Sequence, residues 1–92
     1  MRQVWKFPLD ITSRTPVMAC LIAPVVLVDI DPASGNPAIW IEADWQAWLQ
    51  VERSFFVLGT GWDVAPDLKH HGSCIDAGGF VWHIYERVLS DG

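Results

Sequence analysis

The sequence predicts an all-β domain, a small antiparallel barrel or sandwich of six or seven strands with at most one or two short helical turns. Three observations carry this. Side chains alternate between apolar and polar along several short stretches, as half-buried strands require. Clusters of Gly, Pro, Asn and Asp separate those stretches. The run Phe55-Phe56-Val57-Leu58-Gly59 is rich in strand-favouring side chains and too short for an independent helix. That run is read as a central strand covered on both faces, spanning 51–59. An antiparallel sheet in one small domain must curl or fold over to bury its apolar face.

In chain order, Gln3, Trp5 and Phe7 alternate with Arg2, Val4 and Lys6. This is a first strand with its aromatic face inward, ended by Pro8 because proline gives no ladder donor. The polar segment 9–15 crosses to the other side of the sheet, and 16–21 reads as a short strand. Residues 25–30 and 38–44 form a hairpin around Asp31-Pro32-Ala33-Ser34-Gly35-Asn36-Pro37, with a loop of about six residues. The piece from Asp44 to Val51 carries Trp45, Trp48 and Leu49 at helical spacing but is too short to hold a helix. It is read as a loop or single turn that Asp44 caps, its indoles covering an open end of the sheet. After the central strand, Pro66 and Gly72 bracket one short helical turn with Lys69, His70 and His71 at its end. Residues 72–76 and 80–88 are the last two strands. Phe80, Trp82 and Ile84 share one face of the final strand, and Val81, His83, Tyr85 and Arg87 the other.

The chain has 92 residues, half of them apolar and six of them Trp, which predicts one ordered domain over 1–92 and excludes disorder. The formal charge of −5 argues against a long nucleic acid as partner, since phosphate-backbone binding needs clustered Lys and Arg. Cys20 and Cys74 are expected as two buried thiols of a reducing compartment, although spacing alone does not decide whether they are bridged. The N-terminus lacks the apolar core of a signal peptide, and the longest apolar stretch, 17–28, is broken by Pro24 and too short for a membrane span. The expectation is a soluble cytoplasmic protein with no membrane partner.

The elements Val4-Trp5-Lys6-Phe7-Pro8-Leu9, Trp40, Phe55-x-Val57-x-Gly59-Thr60-Gly61 and Trp82-His83-Ile84 occur in that order. Together they resemble a family of small proteins of bacteriophage and bacterial genomes described only as a domain of unknown function. The resemblance spans nearly the whole chain. It implies a viral or prophage origin, and therefore the cytoplasm of a bacterial host, and it brings no activity with it. Where that family often has a small or basic segment before its Gly-Thr-Gly strand, this chain has Trp45-Gln46-Ala47-Trp48.

The site candidates follow from residue chemistry. Gly59-Thr60-Gly61 lacks the Lys and spacing of a phosphate loop and reads as a structural turn. His70 and His71 are read as exposed loop histidines; adjacent histidines point apart and no second ligand pair stands at zinc spacing, so neither metal nor other cofactor is expected. A hydrolase-like site would draw on His70, His71, Ser73 and Asp76, with Cys74 beside them. His83 is read as a packed or hydrogen-bonded histidine. The surplus of Trp is the strongest signal: Trp45, Trp48 and Trp62 fall in loops or at strand ends, where indoles serve interfaces. Arg53 and Lys69 are the cations nearest to them in sequence. These residues, with His70 and His71, are the candidate binding set. They predict a non-enzymatic binding module, a phage-encoded factor that counteracts host defence by sequestering a host protein or a nucleotide-like signal held between subunits. Unpaired edge strands and apolar surface predict a homo-oligomer, a dimer or higher. The alternatives are the hydrolase-like enzyme and a structural or virion-associated protein.

Overall fold

Strand β5 (Val51–Gly59) lies inside a four-stranded antiparallel sheet of order β2-β5-β7-β6, formed with β2 (Thr15–Ala19), β6 (Leu68–Ile75) and β7 (Val81–Arg87). A second, three-stranded antiparallel sheet has the order β1-β4-β3, from β1 (Gln3–Pro8), β3 (Val25–Ile30) and β4 (Pro37–Ala43). The computed structural model of the chain describes residues 1–88. The two sheets stack as an open sandwich rather than a closed barrel, with no helix among the described residues.

The core lies between the sheets. Ile39 and Ile41 of β4, Phe55 and Val57 of β5 and Ile84 of β7 meet there, joined by Val17, Ala19 and Leu9. Arg53, Phe55 and Val57, alternate residues of β5, are buried, so its apolar run has one covered face. The other face is half-buried rather than sealed as expected: Phe56 lies under the Arg87 guanidinium, 4.9 Å from its ring centroid. The segment from Leu9 to Arg14 carries the chain from one sheet to the other, as its polarity predicts.

The expected helical turn at 66–72 gives way to a strand from Leu68 on, which joins the expected strand at 72–76 into one. β6 pairs with β7 from Leu68↔Arg87 to Ile75↔Val81, with a bulge between His70 and Gly72. The bulge breaks the period of two and hides the first half of the strand from a sequence reading. Because β5 and β6 both run antiparallel to β7, they run parallel to each other, and 60–67 must cross the length of β7 to join them. Gly72 lies where β6 meets β3: a Cβ there would stand 3.1 Å from Cβ and Cγ2 of Val28. Trp5 is half-exposed and Phe80 largely exposed, against the expectation that both pack inward. Trp5 stays at the sheet margin because Trp45 covers the core there, the two rings stacked at 4.5 Å.

Candidate functional site

The β2–β3 turn and the ends of three strands of the larger sheet enclose a cleft of about 670 Å³ at one end of the sandwich. The β2–β3 side is apolar, from Leu21, Ile22, Ala23, Pro24 and Val25. The side of the larger sheet brings Lys69, His71 and Val88, with Arg53 and Glu86 deeper in; Arg87 borders the cleft but turns its guanidinium to the outer face, over Phe56.

Arg53 follows from the same alternation that buries Phe55 and Val57, so its side chain turns inward and is buried. It donates from Nε and Nη2 to the two carboxylate oxygens of Glu86, at 2.7 and 2.8 Å. Its Nη1 donates to the carbonyls of Cys20 and Ala23, at 3.1 and 2.7 Å, and so pins the β2–β3 turn that forms the apolar wall. His71 reaches the same carboxylate, with Nε2 2.8 Å from Oε1 of Glu86. The bulge in β6 turns His71 inward while His70 faces out. Burial works against ionisation of Glu86, but hydrogen bonds from Arg53 and His71 and the Arg53 charge outweigh it and hold its carboxyl at about 2. Glu86 is therefore a carboxylate with its acceptors engaged.

Arg53, Lys69 and His71 of the expected binding set thus meet in one cleft. His70 is not with them. His71 is half-buried in a strand, not in an exposed loop. Trp45, Trp48 and Trp62 do not line the cleft. Trp45 is buried, stacked on Trp5, and donates from Nε1 to the Gln3 carbonyl at 2.9 Å. It lies within a single turn in which Asp44 Oδ1 accepts from the Ala47 amide at 3.0 Å, and Trp48 packs half-buried on the core. Trp62 lies beyond the opposite end of β5, edge-on to Trp82 and half-exposed. Gly61, at φ 88°, makes the turn that brings the Trp62 amide to the Gly59 carbonyl at 3.1 Å, the structural turn expected for Gly59-Thr60-Gly61. A smaller recess of about 180 Å³ opens beside Trp62, Thr60, His83 and Tyr85.

The residues of the hydrolase-like reading divide between surfaces. Ser73 Oγ contacts His83 Nδ1 at 2.7 Å and His70 Nε2 at 3.2 Å on the outer face, while His83 Nε2 meets Thr60 Oγ1 at 2.9 Å. His71 points to the inner face. Asp76 is engaged in the β6–β7 turn, accepting from the Gly78 and Phe80 amides and from Trp82 Nε1, bonds that keep its carboxyl below the usual range. No group of three or more His, Cys, Asp or Glu suited to a metal occurs among the described residues. Both cysteines are free; burial first, then the charges of Asp29 and Asp76, push the Cys74 thiol up. No helix among the described residues is long and apolar enough to cross a membrane.

A sequence reading could not assemble Glu86, Arg87, Leu21 and Ile22 into this site, because they come from distant elements. One signal was present: Arg53 and Glu86 each occupy an inward position of an otherwise apolar alternation, and an inward charge asks for a partner. A family model described as a domain of unknown function (DUF7352) matches residues 1–91. No curated protein and no solved structure matches the chain.

Proposed function

The chain belongs to the family described as a domain of unknown function (DUF7352), and from the geometry of its cleft we propose that it is a non-enzymatic binding module that sequesters a protein partner. The observation that carries this is the cleft, in which an aliphatic wall faces Lys69 and His71 beside an Arg53–Glu86 ion pair that is already satisfied. Its volume, about 670 Å³, falls within the range of roughly 300–1,000 Å³ common to ligand sites. A wall pinned by Arg53 is ordered before the partner arrives, which lowers the entropy lost on docking.

A protein segment suits the cleft better than a nucleotide-like signal. A base needs an aromatic face beside the cations, and the tryptophans lie outside the cleft. With the phage origin expected from the sequence, the proposal extends to a factor that counteracts host defence in the bacterial cytoplasm. Self-association belongs to the same reading, since Val4, Val26 and Leu27 leave apolar surface half-exposed on the smaller sheet.

Co-purification from phage-infected bacteria tests the proposal. A host protein held by the wild type and released by Ile22→Asp is the expected result. A partner retained by that variant would count against the cleft. A second reading has one observation in its favour: Trp62, Tyr85 and His83 border the smaller recess, where a base could stack. Quenching of tryptophan emission by linear or cyclic nucleotides, lost in Trp62→Ala, would move the site there.

A further inference from the structure

We infer that the segment taken by the cleft carries a carboxylate, an Asp or Glu flanked by aliphatic residues. This rests on reading the cleft as the docking site for a protein partner, and it names the chemistry of that partner.

The charge distribution points this way. Arg53 and Lys69 bring their charges to the cleft against a single carboxylate, in a chain whose formal charge is −5. The inner pair is electrostatically closed, because both oxygens of Glu86 are taken by Arg53 and one also by His71. The field met by an incoming segment is therefore set by Lys69. Lys69 is exposed and makes no ion pair among the described residues. Arg87 stands outside this field, its guanidinium over Phe56 on the outer face and bonded to Asp67 at 2.9 Å.

The opposite wall supplies the apolar half of the match. Ile22 is 79 % exposed, and Leu21 more than half so. Covering them with aliphatic side chains is favourable. A basic segment would meet Lys69 with like charge, and an acidic one is repelled elsewhere on this anionic chain, so the charge also fixes where the segment docks.

The test is a random heptapeptide library selected on the whole protein, followed by fluorescence anisotropy of labelled winners against wild type, Lys69→Glu and Ile22→Asp. Both substituted side chains are exposed, so the variants keep the fold. The expected winners contain Asp or Glu beside Leu, Ile or Val. Their affinity falls about tenfold or more with Lys69→Glu, and similarly when the peptide acid becomes its amide, the scale of one lost charge-assisted contact. Winners that are neutral or basic, yet lose binding with Ile22→Asp, would overturn the carboxylate and leave the cleft reading standing. Winners that bind Ile22→Asp as well as wild type, or no winners at all, would overturn both.

Discussion

Arg53 and Glu86 form a two-pronged ion pair between β5 and β7, with both side chains turned into the sandwich, Nε to Oε2 at 2.7 Å and Nη2 to Oε1 at 2.8 Å. Charges so placed are costly to desolvate, and removing one partner strands the other, at about 3–5 kcal/mol. Arg53→Met and Glu86→Leu are each expected to destabilise the domain on that scale in urea unfolding. The double variant should be less destabilised than the sum of the two, because no charge is then left alone. Full additivity would mean that the two groups act independently. Arg53→Met also frees the Cys20 and Ala23 carbonyls, so amide exchange in the β2–β3 turn should quicken in that variant.

The same pair sets a response to acid. Glu86 is held at about 2, below its ordinary 4.5. A carboxylate with a depressed value in the folded state contributes stability that is complete above 4.5 and lost as pH falls through the folded value. The stability advantage of the wild type over Glu86→Gln should therefore be constant from neutrality to about pH 5 and shrink between 4.5 and about 2. Asp31, Asp44 and Asp76 are also lowered by hydrogen bonds and titrate in both proteins, so the difference isolates Glu86. A difference that is flat down to pH 2 would show that the carboxylate is not held down by its partners.

Gly72 permits the approach of β6 to β3. In Gly72→Ala the new methyl would meet the Val28 side chain at 3.1 Å, at its branch point rather than at a flexible tip. Overpacking of this kind costs about 1–3 kcal/mol. Thermal melting of Gly72→Ala should show that loss, and Gly72→Ala with Val28→Ala should recover part of it. An unchanged melting temperature in the single variant would mean that the sheets part freely at this edge.

The legible parts of the fold were those set by local chemistry. The limits of β5 follow from Arg53, Phe55 and Val57 alternating up to the Gly59 turn, and the β3–β4 hairpin from its dense loop. β4 begins one residue earlier than its apolar pattern suggests, because proline is tolerated at the first position of a strand. Only the second half of β6, within the expected strand 72–76, was legible; its first half rests on long-range pairing with β7, and the bulge at His71 erases its period. The tryptophans divided: Trp45 and Trp48 lie against the core, as a segment covering an open end of the sheet would, and indole enrichment at interfaces does not say which indole the fold will cover. Trp45 is drawn inward by stacking on Trp5 and by its bond to the Gln3 carbonyl, contacts between residues 40 or more positions apart. The cleft was half visible, since its cations were named but not the wall that Arg53 holds opposite them.

Trp45 and Trp62 should therefore behave as opposites. Trp45 is 9 % exposed, and truncating a buried aromatic costs about 3–5 kcal/mol. Trp62 is 53 % exposed and touches Trp82 edge-on, so Trp62→Ala should cost about 1 kcal/mol, the scale of one aromatic contact. Acrylamide quenching separates them further. Trp62→Ala should remove much of the readily quenched emission, while a Trp45→Phe variant, which keeps an apolar ring in place, should leave that component. Neither indole lines the cleft, so Trp62→Ala should bind a selected acidic peptide as the wild type does. If Trp62→Ala abolishes peptide binding while melting normally, the partner sits on the Gly59–Trp62 end of the sandwich, and Lys69 and Ile22 are bystanders.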